Sequence, residues 1–394
     1  MSHDTTPSST TSPTTTGRPP VRFAVVGAGQ IAQQAFIPGL AHLPEAELAA
    51  LVTSDPAKGE RHGVPAHPYE AYGELLASGD VDAVYVATPV THHRRYAVEA
   101  LDAGVPVLLE KPMAPSVEDC QAIIDAAERS GTTLMVGYRM HQDAFLVDLA
   151  DLARSGSLGD LRTFTATFGH TVNPDNHRSH TGFWGGPLPD LGIYPLNTVR
   201  TVFGEEPVTV QAHGVHHAGT GLGVTPTVAV TLGFPGGRSA QFTASYATAS
   251  VETFTLTGSQ GSVTSTAAFM WGAELAYTVD TGDGPRRRTY PAVDQFAGET
   301  RYFVHCVREG LRPEPDGEEG LLDIRVCEAV AASLESGSVQ TLAPAHRSRR
   351  VSRDQVVGIP STPAPAPVPR PSVRRSSSPA RVSANVEVMC CVSR

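Results

Sequence analysis

The first 150 residues alternate short apolar runs with amphipathic helical patterns. The apolar runs predict β-strands at 21–26, 48–52, 83–87, 105–109 and 134–136. Helical patterns at about 91–103 and 116–130 separate the later runs. Strands that are apolar on both faces and alternate with helices indicate a parallel sheet covered on both sides. We therefore predict an α/β, Rossmann-type, doubly wound domain over residues 21–150.

The hydrophobic pattern changes after about residue 155. Strand patterns now follow one another across turns, at 163–168, 208–215, 227–234, 239–246 and 252–256. Strands joined by turns without intervening helices indicate antiparallel pairing. Helical patterns complete this part at about 188–203, 293–309 and 319–335. The pattern predicts an α+β second domain over residues 151–344, with a large, mostly antiparallel open sheet.

The two ends of the chain differ in composition from this body. Residues 1–20 are rich in Ser, Thr and Pro, and residues 345–394 are rich in Pro, Ser and Arg, so we predict disordered tails. The first tail has no apolar segment of the kind found in secretory signals, and no run has the length of a membrane span. We therefore expect a cytoplasmic protein without a membrane partner.

Charge and cysteine usage narrow the functional classes. The 394 residues carry a formal net charge of −10, although the C-terminal tail alone is basic. An acidic body argues against a fold that binds nucleic acid. The five cysteines have no metal-ligand spacing, so we expect reduced thiols and no metal site.

Lysine is nearly absent from the chain. Among 30 basic residues only Lys58 and Lys111 are lysines. An ammonium is compact and its protonation is adjustable, whereas a guanidinium is planar and always charged. Lys111 follows an apolar strand and precedes Pro112, which predicts a position at the carboxyl edge of the sheet, where open α/β sheets bind ligands. We expect Lys111 to be functional; for Lys58, a surface position is an alternative.

A glycine motif follows the first predicted strand. In Gly27-x-Gly29-x-x-Ala32 the first glycine permits a tight turn, and the second lets a pyrophosphate approach the backbone. The helix that follows offers N–H groups, at Gln30 and Ile31, to the phosphates. The motif therefore predicts a dinucleotide site.

The end of the second strand indicates which dinucleotide binds. Many NAD sites place a carboxylate there for the ribose 2′-hydroxyl. This chain has Thr53 and Ser54 at that place, and Asp55 before Pro56 is better explained as a helix cap. Hydroxyls together with Lys58 suit a 2′-phosphate, so NADP is favoured, with NAD as the alternative.

These motifs resemble the glucose–fructose oxidoreductase/inositol dehydrogenase/rhizopine-catabolism (Gfo/Idh/MocA) family, over about residues 21–342. The matching residues outside the glycine loop are Thr88-Pro89, His93, Glu110-Lys111-Pro112, Gly137-Tyr138-Arg139 and Asp190-x-Gly192-x-Tyr194. In having tyrosine at position 194, the chain resembles the branch of the family that contains glucose–fructose oxidoreductase, NADP-linked xylose dehydrogenase and dimeric dihydrodiol dehydrogenase.

The resemblance implies an NADP-dependent oxidoreductase that transfers hydride between nicotinamide and an aldose or a similar polyhydroxylated alcohol or carbonyl. It implies cofactor contacts at Thr88, Pro89, His93, Glu110, Lys111 and Arg139. Asp190 and Tyr194 are four apart on a predicted helix and share one face. A phenol titrates near 10, so it is a poor base until a neighbouring cation stabilises the phenolate. We assign Tyr194 as acid/base, Lys111 as its activator and a substrate ligand, and Asp190 as the orienting carboxylate.

Several alternatives remain open. Tyr194 and Asp190 could be an ordinary helix tyrosine and a helix-start carboxylate, and His93 could be structural. Arg178 and its neighbouring histidines suit either a sugar pocket or a solvated loop. The whole protein could be a non-catalytic sensor of NAD(P), or the basic tail could carry an interaction function. The resemblance further implies a homodimer or homotetramer, in which an uncovered apolar face of the second sheet packs on a partner.

Overall fold

The computed structural model describes residues 17–347 and 349–361, which lie within one compact unit. A six-stranded, fully parallel sheet forms its first part, in the order β3-β2-β1-β4-β5-β6. Its strands are β1 (Val21–Val26), β2 (Ala46–Val52), β3 (Ala66–His67), β4 (Ala83–Val86), β5 (Val107–Glu110) and β6 (Leu134–Gly137). The predicted doubly wound parallel sheet is confirmed; only the two-residue edge strand β3 was not predicted.

Helices cover both faces of this first sheet. The helices of this part are α1 (Ile37–Leu40), which extends a π-helical turn at Ala32–Phe36, then α2 (Ala57–His62), α3 (Tyr72–Ser78), α4 (His93–Asp102) and α5 (Val117–Ser130). Helices α3, α4 and α5 pack on the face that carries Val84 and Leu109. The opposite face, with Tyr85 and Leu108, packs against the π-helical turn and α8 (Gln295–Glu309).

The position of α8 corrects the predicted division of the chain. We assigned 293–309 to the second domain, yet Ala297 and Phe303 of α8 are buried against the first sheet. The π-helical turn and α1 are too short to cover that face of the sheet, so α8, which is distant in sequence, covers the rest. Helix α6 (Ala144–Arg154) shows the opposite case. Most of it falls in the predicted first domain, yet its Phe145 and Leu149 pack in the core of the second sheet.

The second sheet has nine strands in the order β14-β13-β12-β11-β7-β10-β9-β8-β15. Its strands are β7 (Leu161–Gly169), β8 (Thr209–Val215), β9 (Thr227–Gly233), β10 (Ser239–Ser245), β11 (Val251–Gly258), β12 (Ser262–Ala267), β13 (Leu275–Asp280), β14 (Arg286–Tyr290) and β15 (Gln340–Thr341). Only β7 and β10 pair in parallel, which confirms the mostly antiparallel sheet. Helices α6, α7 (Ile193–Phe203) and α9 (Gly317–Ser336) contribute to the core on one face.

The other face of the second sheet is polar rather than apolar. One row of aligned residues crosses six neighbouring strands and consists of Gln211, Thr231, Gln241, Thr165, Thr255 and Thr264. All of these side chains are exposed or half-buried. The expectation of an uncovered apolar face is therefore wrong: alternate positions carry Thr and Gln, and the apolar residues between them point into the core.

The start of the predicted C-terminal tail is ordered. Arg347 is fully buried and forms ion pairs with Glu314, Asp316 and Glu319, and Ile359 is buried against the first sheet. The N–H of Val357 donates to the carbonyl of Gln142 at 3.0 Å. Composition predicted disorder from 345 because it does not show that the arginines meet carboxylates of the body. Residues 1–16 and 362–394 of the predicted tails lie outside the described residues.

The described residues contain neither a candidate membrane helix nor a candidate metal cluster. None of their helices is both long and apolar enough to cross a membrane. No group of three or more His, Cys, Asp or Glu side chains in this part of the chain has a metal-binding arrangement.

Candidate active site

The glycine loop lies between the end of β1 and the first helical turn. Gly27 has a φ of 91°, and a Cβ atom there would lie 2.7 Å from the backbone nitrogen of Thr88. No side chain fits at this position, so the turn requires glycine. Gly29 and Gln30 are exposed, and a Cβ at Gly29 would meet nothing closer than 4.0 Å. The loop thus leaves open space beside a helix start, as a pyrophosphate requires.

A cation lies against this loop. The Lys58 ammonium donates a hydrogen bond to the carbonyl of Ala28 at 2.9 Å. The carboxylate of Asp55 accepts from the N–H of Ala57 at 3.1 Å, so it binds the backbone just before α2, although the N-cap residue of that helix is Pro56 rather than Asp55. Thr53 is buried and Ser54 is exposed at the same strand end.

Sequence reasoning missed a second cation at this edge. Arg61, three residues after Lys58 on α2, donates to the side-chain oxygen of Gln33 at 3.1 Å. The spacing of three residues on a helix was the available signal, because it places both cations on one face.

The three predicted catalytic residues converge at the end of β5. The Lys111 ammonium donates to the main-chain carbonyl of Asp190 at 3.0 Å and lies 3.7 Å from its carboxylate. The same nitrogen lies 4.7 Å from the centroid of the Tyr194 ring. Asp190 belongs to a π-helical turn at Leu188–Gly192, and Tyr194 is the second residue of α7. A continuous α-helix over 188–203 was predicted; the π-turn at its start directs a main-chain carbonyl at Lys111.

Arg139 contacts the phenol oxygen of Tyr194. Its Nε donates to that oxygen at 3.0 Å, and its guanidinium carbon lies 4.5 Å from the ring centroid. Two further donors of Arg139 bind the side-chain oxygen of Gln295 and the carbonyl of Phe269. Arg139 is 4% exposed, and these acceptors fix its guanidinium in place. Because the phenol oxygen accepts a hydrogen bond here, its own proton is free to be donated elsewhere.

Asp190 is held by three donors. Its Oδ2 accepts from the guanidinium of Arg178 at 2.8 Å and from the hydroxyl of Tyr246 at 2.9 Å, while Lys111 lies near Oδ1. Burial acts to raise the pKa of Asp190, but Arg178 and Lys111 outweigh it and keep that pKa below its ordinary value. Asp190 is therefore an anion. Arg178 was foreseen only as a pocket candidate, and Tyr246, at the end of β10, had no local sequence signal.

His93 has a buried position behind the site. Its Nδ1 lies 3.0 Å from the carbonyl of Pro112, and its Nε2 lies 2.9 Å from the carbonyl of Thr88. Burial lowers the pKa of His93 to about 4, although the main-chain carbonyls at its ring nitrogens act in the opposite direction. Both ring nitrogens thus face main-chain carbonyls, an arrangement that favours the structural alternative over direct cofactor contact. Pro89, by contrast, is exposed next to Thr88.

Glu110 is buried at the end of β5. Its carboxylate accepts from the hydroxyl of Tyr85 at 2.5 Å and from the N–H of Lys111 at 3.2 Å. Burial raises the pKa of Glu110, and Lys111 opposes that shift. The side chain therefore supports the strand end from within the protein.

Known proteins resemble this chain along both parts of the fold. The family model described as "Oxidoreductase family, NAD-binding Rossmann fold" matches residues 21–138, and "GFO/IDH/MocA C-terminal domain" matches residues 146–264. The D-xylose 1-dehydrogenase (NADP(+)) of Haloarcula marismortui is 29% identical over 346 residues, which cover 82% of this chain and 93% of that protein.

Two solved structures have the same fold. An aldose-aldose oxidoreductase from Caulobacter crescentus, complexed with glycerol, matches with a TM-score of 0.76 at 33% identity, over 82% of this chain and 100% of its own. A 3-ketoreductase from Actinomadura kijaniata, in complex with NADP and TDP-benzene, matches with a TM-score of 0.73 at 28% identity, over 80% of this chain and 98% of its own.

Proposed function

Since this chain belongs to the Gfo/Idh/MocA family of oxidoreductases, we propose that it transfers hydride between NADP and an aldose or a similar polyhydroxylated alcohol or carbonyl. The observation that carries the proposal is the convergence of Lys111, Asp190 and Tyr194 at the carboxyl edge of the sheet. Ligands of open α/β sheets bind at this edge. A non-catalytic sensor has no need of a lysine and a tyrosine arranged in this way.

The residues of the nucleotide edge fit a dinucleotide. Gly27 and Gly29 leave room that side chains would fill, and Lys58 supplies a cation beside the loop. The residues that would hold the cofactor are Gly27, Gly29, Gln30, Ile31, Thr53, Ser54, Lys58, Thr88 and Pro89. Bound NADP would accept hydride from an alcohol or supply it to a carbonyl.

We assign Tyr194 as the general acid/base group. In alcohol oxidation its oxygen receives the hydroxyl proton of the substrate, and in carbonyl reduction it returns that proton. Two cations face the phenol, because Arg139 donates to its oxygen and Lys111 lies over its ring. Fixed cations at this place stabilise negative charge that develops on the phenol oxygen while a proton is transferred.

Asp190 acts on Lys111. Its main-chain carbonyl accepts a hydrogen bond from one N–H of the ammonium, which leaves the other N–H groups of Lys111 for the hydroxyl or carbonyl oxygen of the substrate. Its carboxylate is meanwhile committed to Arg178 and Tyr246. Asp190 therefore orients the ammonium and links it to the loop that carries Arg178.

The relatives support the choice of substrate class. The names of the xylose dehydrogenase and the aldose-aldose oxidoreductase specify sugars, and the ketoreductase is bound to NADP. We propose an aldose for this chain, because the donors of Lys111 and Arg178 suit several neighbouring hydroxyl groups. The three described cysteines, Cys120, Cys306 and Cys327, are free and buried, which suits a reducing compartment such as the cytoplasm.

The same resemblance supports a homodimer or homotetramer formed through the second sheet. The row of Thr and Gln on its open face can form hydrogen bonds across a sheet-to-sheet interface. Light scattering at micromolar concentration tests this: a stable monomer would contradict it.

The function is tested with a panel of aldoses and their lactones, with NADP and NAD in turn, by absorbance of the reduced nicotinamide. We expect turnover with NADP and at least one sugar, and its loss in Tyr194→Phe. Tight binding of NADP without turnover of any sugar would instead favour the sensor alternative.

A further inference from the structure

Glu252 is a carboxylate at a core-facing position of the second sheet. It lies on β11 directly opposite Phe168 of β7, which is buried in the core, and Phe254 and Leu256 further along β11 are buried as well. Side chains alternate between the two faces of a strand, so Glu252 belongs to the same row as these apolar residues. A carboxylate in such a row costs free energy unless hydrogen bonds compensate it. Its position therefore requires strong donors.

Two consecutive backbone N–H groups bind this carboxylate. The N–H groups of Phe269 and Met270, in the loop after β12, both donate to Oε2 of Glu252 at 2.6 Å. Successive N–H groups that converge on one atom form a concave binding site for an anion. Hydrogen bonds to a charged acceptor are stronger than those between neutral groups. Glu252 thus fixes the direction of the Met270 N–H.

The same peptide unit binds Arg139 at its other end. The carbonyl of Phe269 accepts from the Arg139 guanidinium, and this carbonyl lies in the peptide plane that contains the N–H of Met270. The peptide bond between the two residues is trans. In a planar trans peptide the N–H and the C=O point in opposite directions. The hydrogen bond to Glu252 on one side therefore aims the Phe269 carbonyl at Arg139 on the other.

Phe269 also packs beside the proposed acid/base residue. It is 0% exposed, and the centroid of its ring lies 5.3 Å from that of Phe168 and 6.4 Å from that of Tyr194. Arg139 donates from its Nε to the oxygen of Tyr194 at 3.0 Å. A continuous series of hydrogen bonds thus joins Glu252, one peptide unit, Arg139 and the oxygen of Tyr194.

We propose that Glu252 is a positioning residue, which holds the guanidinium of Arg139 on the oxygen of Tyr194 by way of the peptide between Phe269 and Met270. This inference rests on the proposed function. Without the carboxylate this peptide is free to rotate, so Arg139 loses a fixed acceptor. A guanidinium that is less firmly fixed spends less time in the geometry that supports proton transfer, and small displacements of this kind reduce turnover.

The first test observes Arg139 directly by NMR and needs no turnover. Full-length protein labelled with ¹⁵N in its arginine side chains gives an Nε–H signal for Arg139, which Arg139→Lys identifies by its disappearance. In Glu252→Leu we expect this signal to shift, and its proton to exchange with water about tenfold faster or more. Glu274→Leu, at an exposed position before β13, is the control and should leave the signal unchanged. An unchanged signal in folded Glu252→Leu would overturn the proposal, whatever the outcome with sugars.

Glu252→Gln is the second variant and carries this test if Glu252→Leu does not fold. Its neutral amide oxygen can still accept from both N–H groups, but the charge that strengthens these bonds is gone. We expect a change in the Arg139 signal in the same direction and of smaller size. A wild-type signal in Glu252→Gln would then overturn the proposal.

The second test is a double-variant cycle of kcat, measured with saturating NADP and the best aldose. We expect Glu252→Leu to lower kcat by about tenfold and to leave the Kd of NADP nearly unchanged. In the Arg139→Lys background the same substitution should have almost no further effect, because the guanidinium that Glu252 positions is gone. A loss of equal size in both backgrounds would assign Glu252 a structural role separate from Arg139 and overturn the proposal. Wild-type kcat in Glu252→Leu would overturn it as well.

Discussion

The guanidinium of Arg139 donates a hydrogen bond to the phenol oxygen of Tyr194, with 3.0 Å between Nε and Oη. The two residues are 55 positions apart: Arg139 follows β6 of the first sheet, and Tyr194 is at the start of α7. Lys111, which we assigned as the activator of Tyr194, lies over the ring, 4.7 Å from its centroid. Tyr194, the proposed acid/base residue, therefore contacts two cations: the Arg139 guanidinium binds its oxygen, and the Lys111 ammonium lies over its ring.

This contact predicts that Arg139 is required for turnover. Arg139→Lys keeps a positive charge but loses the planar set of donors that binds Tyr194, Gln295 and Phe269 together. Removing a fixed donor from developing negative charge typically costs about 10²–10³-fold in kcat. We expect a loss in this range, measured with the best aldose and saturating NADP.

The control for Arg139→Lys is Arg162→Lys, at an exposed position on β7. Wild-type turnover in Arg139→Lys would show that the hydrogen bond to Tyr194 does not assist catalysis.

Tyr194→Phe should remove turnover and leave NADP binding nearly intact. The hydroxyl is needed only for proton transfer in our account, while the ring still packs against Phe168 at 5.6 Å between centroids. General acid/base groups contribute about 10²–10⁴-fold. Steady-state kinetics and a fluorescence titration with NADP separate the two effects. A parallel loss of cofactor affinity would indicate a structural role for the hydroxyl.

Lys58→Ala should weaken NADP more than NAD. The Lys58 ammonium lies at the glycine loop, next to the strand end where a 2′-phosphate would bind, and NAD lacks that phosphate. Isothermal titration with both cofactors measures the difference. Arg94→Ala, which removes an exposed cation on α4, is the control and should change neither affinity.

Equal affinity of the wild-type protein for NADP and NAD would refute this assignment. A loss in Lys58→Ala that is the same for both cofactors would mean that the lysine only stabilises the loop.

His93 should make stability depend on pH. Its pKa is about 4 in the folded protein and near 6.5 in an unfolded chain, so the unfolded state binds more protons between these values. Stability is then complete above pH 6.5 and falls as pH decreases toward 4, by up to about 3 kcal/mol. Urea unfolding at several pH values measures it. We expect a flatter profile in His93→Gln, and no change of slope from the control His305→Gln, an exposed position on α8.

Local features of the chain were predictable from sequence. The strand β1 and the turn at Gly27 depend on residues close in sequence, because a buried strand and a positive φ have local signatures. Strand β14 was missed because Arg286, Arg287 and Arg288 present no alternation of apolar residues. It pairs only as an edge strand, where charged side chains are tolerated.

Long-range contacts were not predictable in this way. The position of α8 on the first sheet depends on packing between segments about 200 residues apart, and the pattern of α8 shows only that one of its faces is apolar. The same limit applies to the site. Lys111, Asp190 and Tyr194 were found through their motifs, whereas the contacts of Arg139 with Tyr194 and of Tyr246 with Asp190 have no local signal.

The most direct measurement of the central claim is the turnover of Lys111→Arg with NADP and the best aldose. This variant keeps the positive charge, but a planar guanidinium cannot reproduce an ammonium that bonds the carbonyl of Asp190 at 3.0 Å and lies 4.7 Å from the centroid of the Tyr194 ring. We predict a loss comparable to that of Tyr194→Phe, and a double variant no worse than either single one, since the two residues act as a unit. Wild-type turnover in Lys111→Arg would contradict the account, because a surface charge tolerates this exchange and a catalytic ammonium does not.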